Sequence, residues 1–134
     1  MTERATFSLE GADQPITFVE TTEVREGVVC EVFTFDDRTD VDLGLVTVAP
    51  DAHTPLQRVL EGEVTIEGFI SGAGTLEVVR KTSGEIESYT FPGEHTEVEI
   101  LQGDVVQWTA GPQGLEFYEL CYPPYQDGRF ENLD

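Results

Sequence analysis

At 134 residues, with 39% hydrophobic and 10% aromatic content, the chain is long enough for one domain with a real core and too short for two. Twenty-seven acids stand against seven bases, a net charge of −20 that repels nucleic acid and anionic membrane, since both are bound through positive patches. No stretch approaches the roughly 20 apolar residues of a membrane helix, and the opening M-T-E-R-A-T-F-S-L-E carries charges where a signal peptide has its apolar core, so the expectation is a soluble, cytoplasmic protein.

Six of the seven bases are arginine, and Lys81 is the only lysine. Acid-rich, lysine-poor composition is similar to that of proteins from salt-loving organisms. Uncompensated negative charge destabilises a compact state by self-repulsion, and at molar salt the Debye length falls to about 3 Å. The melting temperature should therefore rise substantially between low salt and molar potassium chloride. A thermal scan that shows no change across that range removes the halophilic reading.

In chain order, Thr6 to Leu9 and Ile16 to Val19 are candidate strands around a polar loop, Gly11 to Pro15. Val28 to Phe35 is rich in β-branched and aromatic residues and predicts a strand, followed by a loop over Asp36 to Asp40. Leu43 to Ala49 predicts the next, closed by Pro50. Leu60, Gly62, Val64, Ile66, Gly68 and Ile70 then alternate with Glu61, Glu63, Thr65, Glu67 and Phe69. That period of two predicts one long strand with an apolar or small face and a mostly acidic one. Ser71 to Gly74 reads as a turn into Thr75 to Arg80, and Thr82-Ser83-Gly84 as a hairpin turn into Glu85 to Phe91. Thr96 to Leu101, Val105 to Thr109 and Leu115 to Tyr122 complete the strands, the last two separated by a Gly111 to Gly114 turn. No segment has helical spacing. Short strands separated by Gly/Pro turns predict an all-β, antiparallel sandwich or barrel formed by residues 1–134 as a single domain. Residues 123–134 read as an irregular tail whose Arg129 and Phe130 pack back on the body.

The strand and Gly-x-Gly turn between Gln57 and Val78 resembles the first motif of the cupins, and Gly103 to Tyr118 follows their second, so residues 43–122 resemble a cupin jelly-roll core. In the first motif a His-x-His pair and a glutamate precede a closing glycine. With Gly74 as that glycine, Glu67 takes the glutamate place; with Gly72, Thr65 does. The histidine positions fall among Arg58, Val59, Leu60, Glu61 and Gly62. In the second motif Thr109 replaces proline, Gly111 is kept, Gly114 replaces histidine and Tyr118 replaces asparagine. The ligands that hold iron, manganese, nickel or zinc in that family are therefore missing, and no cofactor is expected. An alternative metal site would use His53 and His95, both in turn-rich segments, with a glutamate.

Cupin ligands point into the barrel, so the resemblance places Glu63, Thr65 and Glu67 inward, with Gly114, Glu116, Tyr118, Leu120 and Tyr122 facing them. Val64 and Ile66 then face out and need a second sheet or another subunit to cover them, which together with the dimeric habit of cupins implies a homodimer. Cys121 is expected to point away, and Cys30 and Cys121 read as buried free thiols. A glutamate in an apolar cavity has a raised pKa and serves as general acid or base. Glu67 and Tyr118 are the expected catalytic pair, and Gln57, Thr65, Trp108, Glu116 and Tyr122 the expected ligand-lining residues. Isomerase, epimerase or lyase chemistry on a small polar molecule would follow. The alternatives are a non-catalytic binding or structural cupin, and a metal-dependent oxygenase.

Overall fold

The structure, a computed structural model, describes residues 5–134 and contains strands and turns with no helix among the described residues. The strands are β1 (Ala5–Leu9), β2 (Ala12–Arg25), β3 (Val28–Phe35), β4 (Asp42–Val48), β5 (Gln57–Val59), β6 (Val64–Val79), β7 (Ile86–Phe91), β8 (Glu97–Leu101), β9 (Val105–Tyr122) and β10 (Phe130–Asn132). Every pairing is antiparallel.

Two strands, β6 and β9, belong to both layers of a sandwich. Their halves Val64–Phe69 and Phe117–Tyr122 sit in one layer, ordered β1-β2-β3-β4-β9-β6-β8. Their other halves sit in the second layer, ordered β7-β6-β9-β5-β10. The Ser71 to Gly74 and Gly111 to Gly114 segments, expected to reverse the chain, instead bend two continuous strands from one layer to the other, with register shifts at both. Glycine makes the crossing possible. Gly72 and Gly114 both have positive φ, and a Cβ on Gly72 would overlap the Gly114 carbonyl oxygen.

The core between the layers is built by Val28, Val46 and Val48 on one side and Leu76, Val78, Phe91, Val106 and Trp108 on the other. Phe69, Phe91, Trp108 and Phe117 form a run of ring contacts through it, with centroids 4.5–5.5 Å apart. The outer face of the first layer is also covered within the chain. Leu9, Ile16, Phe35, Val41, Leu43 and Leu120 pack there, with Phe7, Ile66, Tyr118 and Tyr122 against them. The apolar even face of β6 is thus met by the curled β1–β2 end of its own sheet.

Other boundaries move for local reasons. The expected Gly11 to Pro15 loop is mostly strand, because the chain turns at Glu10-Gly11 and Ala12 to Ile16 pair with β1. β2 runs on to Arg25, where Thr21, Thr22 and Val24 suit extended backbone and β3 supplies the ladder. The long strand begins at Val64 rather than Leu60, since the Leu60 and Glu61 amides donate to the Arg129 carbonyl and leave Leu60 exposed. The tail is not irregular throughout: β10 pairs with β5, Arg129 is buried, and Phe130 packs on the core.

Candidate functional site

Glu67 is the buried carboxyl at the centre of the inner face of the first layer, with 2% of its surface exposed. Trp108 reaches it from the second layer, donating its indole Nε1–H to Glu67 Oε1 at 3.1 Å. The other oxygen, Oε2, has no protein donor. Directly across the ladder, Glu67 pairs with Glu119. Burial raises Glu67 well above the usual carboxylate range, and the charge of Glu119 raises it further. Burial also raises Glu119. Two carboxyls side by side in a poorly solvated site hold a proton between them, because ionising both would place like charges in low dielectric. The interaction with Glu119 raises Glu67, so of the two carboxyls Glu67 is the one on which the proton is favoured.

Around this pair the inner face stays polar toward the end of the sandwich where β9 finishes. Cys121 Sγ lies 3.7 Å from Glu119 Oε1. Next to it, Thr65 is buried and its Oγ1 accepts from Arg129 Nη2 at 3.0 Å. Asp42, also buried, accepts the Tyr125 amide at 2.9 Å. Burial raises Asp42, opposed by the Tyr125 amide and then by the positive charge of Arg129. Cys30 is pushed up to about 12 by burial and then by Glu119, and Cys121 is raised in the same way. Both thiols are therefore held protonated, which removes thiolate chemistry from this site. Exposed Tyr125, stacked on Phe130 at 5.9 Å, marks the solvent side.

Glu67, Thr65 and Trp108 come together as expected, but Tyr118 does not join them. The residues of β9 that face Glu67 are Phe117, Glu119 and Cys121, while Tyr118 lies on the outer face across Gly68. Its hydroxyl donates to Glu97 Oε2 at 2.6 Å, and its ring meets Phe7 edge-on at 5.1 Å. The cause is the irregularity at residues 111–114, which changes the alternation along β9: Val106, Trp108 and Ala110 face inward before it, Leu115 and Phe117 after it. The same flip turns Glu116 and Tyr122 away and brings Cys121 in. Glu63 is exposed in the turn before β6. Gln57, on β5, donates to Asn132 at 2.9 Å at the sheet edge. Sequence reasoning did not place Glu119 or Asp42 at the site, and it expected Arg129 to pack on the body without assigning it there. The register of a long antiparallel pair was the one signal that would have matched Glu119 to Glu67.

No family model matches the chain, and no curated protein matches it. Solved structures do. Oxalate decarboxylase from Bacillus subtilis superposes with a TM-score of 0.72 at 15% identity, over 99% of this chain and 33% of that one. The Lactobacillus farciminis oxalate decarboxylase formate complex gives 0.70 at 16% identity, over 99% and 37%. PAC13 from Streptomyces, in a variant bound to uridine, gives 0.63 at 10% identity, over 86% and 84%. The chain thus spans about a third of the length of the decarboxylases it matches. These likenesses show the fold alone, an all-β, antiparallel, cupin-like jelly-roll sandwich.

The metal implied by that fold does not fit the residues here. An indole N–H points at the carboxyl in the glutamate place, and both neighbouring thiols are protonated. Among the described residues no three His, Cys, Asp or Glu side chains gather as a metal site requires. His53 and His95 are engaged elsewhere: His53 Nδ1 lies 3.1 Å from Gln107 Nε2 and 3.3 Å from Arg25 Nη1, and His95 packs edge-on to Tyr89. No helix is long and apolar enough to cross a membrane among the described residues.

Proposed function

We propose that the domain is a small-molecule cupin that works through the proton shared by Glu67 and Glu119, without a metal. The observation that carries this reading is the lone Oε2 of a fully buried Glu67 beside a second raised carboxyl. Acids with strongly perturbed titration cluster at functional sites. In this role Glu67 is the acid that gives its proton to a carbonyl or hydroxyl oxygen of the ligand; the Trp108 indole N–H holds the carboxylate left behind, and the charge of Glu119 drives its reprotonation. Tyr118, which faces the opposite way, has no part in it.

The charge of the site selects the ligand class. Asp42 and Glu119 share this polar inner face, and the whole chain carries −20. A neutral hydrogen-bonding molecule such as a nucleoside, sugar or keto compound is favoured over a small carboxylate. Uridine, the molecule held by PAC13, serves as the neutral probe, and formate, held by the Lactobacillus decarboxylase, as the anionic one. Calorimetric titration in molar salt should show saturable binding of uridine or a related neutral molecule, weakened about tenfold or more in Glu67→Gln and Glu119→Gln, and none of formate. Binding that is indifferent to both substitutions refutes the assignment. The stacked rings of Phe69, Phe91, Trp108 and Phe117 filling the interior favour the second reading, a non-catalytic structural cupin, and a complete absence of neutral-ligand binding would decide for it.

A further inference from the structure

At the far end of β6 from Glu67 lies a groove of about 350 Å³ lined by Arg58, Val79, Arg80, Lys81, Gly103 and Val105. Three of the seven bases of a chain carrying 27 acids thus border one depression, and no acid lines it. The acids stand behind it and fix its frame. Arg80 donates to Asp104 at 2.8 Å, to the Glu99 carbonyl at 2.8 Å and to Glu87 at 3.0 Å. Asp104, buried, also accepts the Lys81 and Leu101 amides at 3.0 and 2.9 Å. Arg58 is anchored across the β5–β10 pair by Glu131 at 2.9 Å and keeps nearly half of its side chain exposed.

Lys81 is different. Arg25, Arg38, Arg58 and Arg80 each hold an acid, and Arg129 is taken up by carbonyls and Thr65. Among the described arginine and lysine side chains, that of Lys81 is the one with neither a hydrogen bond nor an ion pair. In so acid-rich a chain an unengaged cation beside two arginines is a departure from the pattern. Its stem lies over Gly103, where a Cβ would collide with it, so the head is carried along the groove rim. The groove floor, Val79 paired with Val105, is apolar.

We propose that this groove binds a small organic oxyanion, a phosphate ester or a carboxylate, with its charged head on Lys81 and the free N–H groups of Arg58 and its body on Val79 and Val105. Arg80 positions the Lys81 segment through Asp104 and is not itself the donor. The volume suits a metabolite-sized ligand, and a rim of three bases with no acid among its lining residues favours an anion.

Because Lys81 is the only lysine, protein made with isotope-labelled lysine gives a single lysine side-chain NMR signal, which reports on the site without further assignment. At constant ionic strength, phenyl phosphate should move that signal saturably, and more tightly than inorganic phosphate because of the valine floor. Acetate and benzoate are the carboxylate arms: saturation by phosphates alone assigns a phosphate site, and saturation by carboxylates alone a carboxylate site. Arg58→Gln should weaken binding about tenfold, the loss of one charge-assisted hydrogen bond, while circular dichroism and the melting temperature verify folding. Thermal shift with phenyl phosphate gives a second readout, which Lys81→Gln should abolish. A shift that never saturates, that sodium chloride reproduces at equal ionic strength, or that Arg58→Gln leaves unchanged overturns the proposal.

Discussion

Arg129→Ala should destabilise the protein by about 3–5 kcal/mol, the scale for removing one side of a buried charge network. That corresponds to a fall of roughly 10–20 °C in melting temperature for a chain of this size. Arg129 is 3% exposed, yet it comes from the tail rather than from a core strand. Its Nη1 donates to the Pro123 carbonyl at 2.8 Å, and its Nη2 to the Val64 carbonyl and Thr65 Oγ1, each at 3.0 Å. Truncation strands those acceptors in the interior. It also removes the positive charge that lowers both Asp42 and Glu119. Arg129→Lys keeps the charge but loses the planar fork that reaches several acceptors at once, so it should recover only part of the loss. Urea unfolding at fixed molar salt measures the size of the effect. Hydrogen exchange at the Leu60 and Glu61 amides, which donate to the Arg129 carbonyl, locates it. Unfolding midpoints within about 0.5 kcal/mol of the parent, the range of an ordinary surface change, would show that the tail only rests on the body.

Much of the architecture is legible in the chain because strand alternation is a local property. Val28–Phe35 appears where its β-branched residues place it, and Thr65 and Glu67 share one face as the period of two requires, while the resemblance to cupins, not the alternation, turned that face inward. What a single strand cannot show is how two strands are registered. β9 carries extra residues at 111–114, and each shift of one residue exchanges the faces of everything that follows. Aligning that strand to a family motif carried Tyr118 inward, whereas its own pattern, with Leu115 and Phe117 on one face and Glu116 on the other, agrees with the structure. The second carboxyl was hidden for the same reason. Glu119 in Tyr-Glu-Leu-Cys looks like one more acid of a highly acidic chain until the ladder sets it opposite Glu67. Arg129 was expected to pack back on the body and is buried, but its partners were hidden by distance along the chain, since only tertiary packing brings it to Thr65 and the Val64 carbonyl.

Glu67→Gln should have the opposite sign from Arg129→Ala and stabilise the fold at pH 7–8. Glu67 is raised in the folded protein, by burial first and by Glu119 second. Below the unfolded carboxylate pKa, about 4.3, both states hold the proton and the folded form suffers no penalty. As pH rises from there toward the higher folded value, the unfolded chain releases its proton while the native chain keeps it, so stability falls with increasing pH. Glu119 and Asp42, raised for the same first reason, add to that slope. Glutamine keeps the shape and the acceptor for the Trp108 indole, and its amide supplies the donor toward Glu119 at every pH. The substitution should therefore flatten the decline and gain about 1–3 kcal/mol at neutral pH, the scale of a buried polar mismatch, with little change near pH 4. Trp108→Phe, which removes the one donor Glu67 has, should lose stability instead. Melting curves of the three proteins from pH 4 to pH 8 in molar salt test this directly. If Glu67→Gln is more stable at pH 8 and has also lost neutral-ligand binding, the strained carboxyl pair is maintained at the expense of stability for use at the site. A parallel pH dependence in parent and variant would place the shared proton elsewhere and end the acid–base assignment.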